Sequence, residues 1–145
     1  IQPTALTETL TFELDKAQYT VYPPERTSYP NNEDNEYSLI VGVTHGENRF
    51  LFAGDALTER LGEFTALGEG TYDFLKVSNH GDYFEGVEAF FRAVSPKYAA
   101  ITCSDKNPAD ARTVSALEAV GAQVFLTRDG SVKVTSDGRT ISVLQ

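Results

Sequence analysis

The spacing of apolar residues along the chain switches between a period of two and a period near 3.6, and the switches mark out its elements. Residues 10 to 23 alternate, with Leu10, Phe12 and Leu14 on one side, which predicts a strand, a short break and a second strand ended by Pro23-Pro24. Residues 24 to 36 are polar and rich in Pro and Asn, an internal loop rather than a linker, because too little chain precedes it to form a domain. Tyr37–Thr44 and Arg49–Ala53 are β-rich and flank Gly46-Glu47-Asn48, the pattern of a hairpin. Leu57, Leu61, Phe64 and Leu67 then recur at helical spacing, and Gly68 supplies a stop.

Two βα units follow. Asp73–Ser78 reads as a buried strand, Asn79-His80-Gly81-Asp82 as a turn, and Phe84, Val87, Phe90, Phe91 and Val94 as one face of a helix halted by Pro96. Tyr98–Cys103 is the next strand. Asn107-Pro108 then offers an N-cap and a proline in the first helical position, and Val114, Leu117 and Val120 face inward before Gly121. Three short strands close the chain, Gln123–Thr127, Ser131–Thr135 and Arg139–Leu144, with turns at Arg128-Asp129-Gly130 and Ser136-Asp137-Gly138. The expected fold is a single α/β domain over residues 1–145, a mixed sheet flanked by helices and finished by a β-meander.

Composition narrows the function classes. At 145 residues the chain can bury one real core, and 41% hydrophobic residues without low-complexity tracts describe a globular domain. The apolar runs are too short to span a membrane. A formal charge of −9, with basic residues scattered, argues against an autonomous nucleic-acid surface. The single Cys103 excludes an intrachain disulfide and a Cys-rich zinc site. A chain that starts at Ile1 and has no Met reads as a processed or excised piece.

The strongest candidates for chemistry are Asp55 and His80. Each follows a predicted buried strand at its carboxyl end, where open α/β sheets bind ligands. A carboxylate oxygen and an imidazole nitrogen suit zinc, manganese or iron. The plain alternative is that Asp55 caps the helix after it and His80 is a solvated turn residue. His45 beside Gly46 reads as a surface histidine, Cys103 as a small core residue, and Asp105 as a capping or solvated group near the site edge. Tyr19, Tyr22, Tyr29 and Tyr37 could stack on a choline-type cation, but a half-exposed strand explains them as well.

NEYSLIVGVTHGENRFLFAGDA resembles the family pattern in which Asn-x-x-Ser-Leu opens a hairpin that ends in Gly-Asp, here Asn35 to Leu39 and Gly54-Asp55. DFLKVSNHGD is similar to the Leu-Lys-Val-x-His-His-Gly-Ser strand of the extracellular hydrolase domain of DNA-uptake competence proteins, and to the matching strand of phosphorylcholine esterases. Both belong to the metallo-β-lactamase superfamily, and the resemblance runs from residue 10 to residue 145. It implies the C-terminal half of an αββα sandwich, with Asp55 as a carboxylate bridging two metals, His80 as the last metal-binding histidine, and Asn79, Asp82 and Asp105 beside the substrate. It also implies metal-assisted attack of water on a phosphodiester or phosphorylated substrate, with zinc, manganese or iron as cofactor, and a location outside the cytoplasm. Asn79 stands where many relatives have a first His, Asp82 replaces a common Ser, and Ser104–Pro108 lacks a His found in many relatives.

The superfamily's His-x-His-x-Asp-His signature is absent from a chain whose only histidines are His45 and His80. The expectation is therefore a partial domain, inactive alone, whose partner is the missing N-terminal half or a second copy covering an exposed sheet face. A binding or scaffold domain that kept the fold without a complete site is the competing reading. An unrelated receiver-like α/β module is disfavoured by the hairpin before Asp55 and by the terminal strands.

Overall fold

The structure, a computed structural model, describes residues 5–30 and 33–145, so Asn31 and Asn32 of the predicted loop lie outside the described residues. The chain forms a mixed α/β fold: a seven-stranded sheet in the order β1 to β7, three helices and a separate two-stranded sheet. The strands of the large sheet are β1 (Leu10–Leu14), β2 (Ala17–Tyr22), β3 (Ile40–His45), β4 (Asn48–Phe52), β5 (Phe74–Lys76), β6 (Tyr98–Ile101) and β7 (Gln123–Leu126). β1 to β4 are antiparallel and β4 to β7 are parallel. The helices α1 (Thr58–Ala66), α2 (Val87–Val94) and α3 (Ala111–Ala119) make the three parallel crossovers in turn.

A sheet that grows in one direction through right-handed crossovers receives all its helices on one face. The core shows this. Leu61, Phe64, Phe90, Phe91, Val94 and Leu117 from the helices pack on Ile40, Leu51, Leu75, Val77, Ala99 and Ile101, which alternation places on a single face. Among the described residues the opposite face carries no helix. There Leu10, Phe12, Leu14 and Phe52 stay 46%, 44%, 58% and 40% exposed, an apolar surface at the β1 end of the sheet. Phe12 stacks on Tyr19 at 5.2 Å, and Phe50 and Phe52 flank Phe74.

The terminal strands differ from the expected meander. β7 pairs in parallel with β6, because it completes a third βα unit, and only β8 (Lys133–Ser136) and β9 (Ile141–Leu144) form a hairpin. That hairpin docks on the turn between β3 and β4: the Glu47 N–H donates to the Gly138 carbonyl (2.7 Å), and Ser136 Oγ sits 3.0 Å from His45 Nδ1 and 2.8 Å from Asn48 Oδ1. His45 is thus a half-buried clasp residue rather than a free surface histidine.

Other boundaries move for local reasons. Asp34–Tyr37 forms a 3-10 turn, so β3 starts at Ile40 rather than Tyr37. Asp110, not Asn107, caps α3, accepting from the Arg112 N–H at 2.8 Å. Gly86, in the left-handed region, delays α2 to Val87 and leaves Phe84 packed on the core from outside the helix. Among the described residues no helix is long and apolar enough to cross a membrane.

The segment after β2 is held by a buried charge network. Arg60 donates to the Tyr22 carbonyl (2.8 Å), the Ser38 carbonyl (3.1 Å) and Glu63 (3.5 Å). Glu63 also accepts from the Tyr29 hydroxyl at 2.8 Å and the Glu25 N–H at 3.1 Å. Burial and that carboxylate push the Tyr29 phenol up to about 12. Tyr29 is buried, its hydroxyl is committed to the network, and the Arg26 guanidinium lies 5.9 Å from the centre of its ring.

Candidate functional site

Parallel strands β4, β5 and β6 lie side by side and end at the same edge. Their carboxyl ends deliver Gly54-Asp55, Asn79-His80 and Thr102, so three consecutive βα connections converge on one place.

Asp55 precedes a helix but does not cap it. The first amides of α1 are taken by Glu36, whose carboxylate accepts from the Glu59 N–H at 3.0 Å and the Arg60 N–H at 2.9 Å. Negative charge at a helix N-terminus is favourable, and here it comes from a distant loop rather than the adjacent residue. The Asp55 backbone is fixed instead by its N–H donating to Ser38 Oγ at 3.2 Å, and its carboxylate is left free for the site.

His80 sits at φ 54 and Asn79 at φ 41, two successive non-glycine residues in the left-handed region. Such backbone costs free energy and persists where surrounding contacts impose it, often at functional sites. The contacts are visible. The Asn79 N–H donates to the Gly54 carbonyl (3.3 Å), the Gly81 N–H to the Ser78 carbonyl (3.0 Å), and the Asp110 N–H to the Gly81 carbonyl (3.1 Å). His80 Nδ1 lies 2.9 Å from the Thr102 carbonyl and 3.0 Å from Thr102 Oγ1. A carbonyl only accepts, so Nδ1 carries a proton, and in the neutral imidazole Nε2 then presents its lone pair.

That free Nε2 faces Asp55 Oδ1 at 3.7 Å, with the Asp55 and His80 side chains 41% and 49% exposed. Two ligands about 2.1 Å from a tetrahedral zinc ion stand about 3.4 Å apart, so the pair is spaced to share one ion after a small adjustment. A histidine whose other nitrogen donates to a backbone carbonyl is the usual arrangement behind a metal ligand. The donor set therefore fits two positions of a zinc, manganese or iron site. Among the described residues no third His, Cys, Asp or Glu joins them.

Lys76, which the sequence reading passed over, completes the cluster. Its ammonium donates to the Gly54 carbonyl at 2.9 Å and lies 3.6 Å from Asp55 Oδ1. Burial lowers its pKa, and Asp55 works against that shift. The signal was present as a lysine inside the apolar strand DFLKVS, which has to find a countercharge.

The other expected residues divide. Asn79 is at the site, linked to Asn35 and to Asp82 by contacts at the 3.5 Å limit. Asp82 is exposed at the rim. Asp105 is exposed in the loop after β6, and none of its side-chain contacts joins it to the pair. Cys103 packs partly against the core, as a small apolar residue would. Neither a protein-family model nor a curated protein sequence matches the chain.

Proposed function

We propose that this chain is one half of a metal-dependent hydrolase of the metallo-β-lactamase type, acting on phosphodiesters or phosphorylated polymers once joined to the half that supplies the remaining ligands. The observation that carries the reading is the His80 imidazole, locked by Thr102 so that Nε2 meets Asp55 Oδ1. Asp55 and His80 would hold the metal, which when bound supplies Lewis-acid activation of water and stabilises charge developing on the phosphoryl oxygens. Lys76 holds Asp55 in place and adds a positive charge where an anionic substrate approaches. Asn79, in place of a histidine, can donate a hydrogen bond but cannot act as a catalytic acid. The apolar surface exposed at Leu10, Phe12, Leu14 and Phe52 supports the same reading, because a complementary half-domain would bury it.

The test is hydrolysis of bis(p-nitrophenyl) phosphate with zinc or manganese, by the chain joined to a half-domain carrying His-x-His-x-Asp-His. Metal-dependent turnover is expected, falling about 100-fold or more in Asp55→Asn and in His80→Ala. No turnover, or turnover indifferent to both substitutions, contradicts the hydrolase. It would favour the scaffold reading, to which the Asn79 substitution and the two-ligand site lend their weight.

A further inference from the structure

The two edges of the large sheet are treated differently. At β7, the Gln145 side chain folds back to donate to the Leu126 and Gly130 carbonyls. At β1 all five residues are exposed, and among the described residues no strand pairs with its outer side. Glu13 is the one charge on this edge: LTFEL has no proline and no lysine, and its one-to-one register with β2 leaves no bulge. An open edge with free N–H and C=O groups is a template for another strand.

We propose that β1 pairs with β1 of a second copy of this chain, antiparallel and centred on Phe12, to give a closed two-fold dimer. A two-fold axis through Phe12 sets Leu10 opposite Leu14 of the other copy, Thr11 opposite Glu13, and Phe12 opposite Phe12. Apolar residues meet apolar residues on the uncovered face, and each Glu13 meets a hydroxyl rather than a carboxylate. Registers centred on Thr11 or Glu13 pair fewer strand residues, and the second opposes the two Glu13 carboxylates. The flanks agree with the central register. Glu8 precedes β1 and Lys16 follows it, so antiparallel approach brings Glu8 of each copy toward Lys16 of the other. Local complementarity matters here because each chain carries a formal charge of −9. Phe12 is already stacked on Tyr19, so little side-chain freedom is lost on docking. A two-fold pairing uses the same edge in both copies, so it closes at two rather than continuing into a filament.

This inference stands apart from the hydrolase reading and is tested on the chain alone, without metal. Sedimentation equilibrium is expected to show a monomer–dimer equilibrium, and hydrogen exchange at Thr11, Phe12 and Glu13 to slow as concentration rises. Thr11→Glu sets two like-charge pairs across the interface, and Thr11→Lys sets two opposite-charge pairs. The first is expected to weaken the dimer about fivefold and the second to tighten it by a similar factor. Thr11 is exposed, so both variants keep the fold, which circular dichroism verifies. A chain that stays monomeric at every concentration, open-ended association, or a shift in the same direction for both variants overturns the proposal.

Discussion

Replacing Arg60 with methionine is expected to destabilise the fold by about 3–5 kcal/mol, a large share of an ordinary domain's stability. The Arg60 and Glu63 side chains are 1% and 5% exposed, and water cannot replace the guanidinium. Methionine fills the volume but leaves the Tyr22 and Ser38 carbonyls without that donor and Glu63 without its nearest buried cation. The consequence extends beyond α1. The same helix turn receives Glu36, whose carboxylate takes the first amides of α1 in place of an adjacent cap. Urea unfolding followed by circular dichroism measures the loss. The double variant Arg60→Met, Glu63→Gln is expected to recover part of it, since the stranded charge is then removed as well. A loss under about 1 kcal/mol in the single variant contradicts this account of the network.

Gly81→Ala is the second large effect, expected at about 2–5 kcal/mol. Gly81 has φ 82, where a Cβ costs about 1–2 kcal/mol. A Cβ there would also lie 2.6 Å from Ile101 Cγ2 and 3.2 Å from Ala109 Cβ, and overpacking adds about 1–3 kcal/mol. Ile101 is fully buried and has little room to retreat, so the turn that carries His80 must shift instead. Gly121→Ala is the control: its φ is 90, but nothing lies within 4 Å of the added carbon, so only the backbone strain is expected. Thermal unfolding compares the two, and the His80 imidazole NMR signals are expected to move in Gly81→Ala and stay in place in Gly121→Ala. Equal losses in both variants would mean that the Ile101 contact is unimportant.

The periodic segments and the βα rhythm were legible in the sequence, and so was the placement of Asp55 and His80 at strand ends. What escaped it were the pairings made at a distance. Local capping rules assign Asp55 to α1, because the residue that takes the amides, Glu36, lies over twenty positions upstream in a loop. The same locality made Asn107-Pro108 look like the start of α3, whereas the chain turns once more before Asp110. Three short closing strands read as a meander because neighbours in sequence usually pair, yet β7 obeys the preceding helix and lies along β6. Thr102 gave no motif at all. It gains its role only because β5 and β6 end side by side, which brings its carbonyl to His80 Nδ1. The helix-free face follows from topology alone, since all three crossovers add strands in one direction.

Asp55 and His80 are proposed to form a prepared pair of metal ligands. The chain has two histidines, so imidazole NMR during a manganese(II) titration separates them. The account predicts that the His80 signals broaden at substoichiometric metal while His45, held against Ser136, stays sharp, and that Asp55→Asn abolishes the difference. Equal broadening of both histidines, or His80 broadening that survives Asp55→Asn, would contradict it.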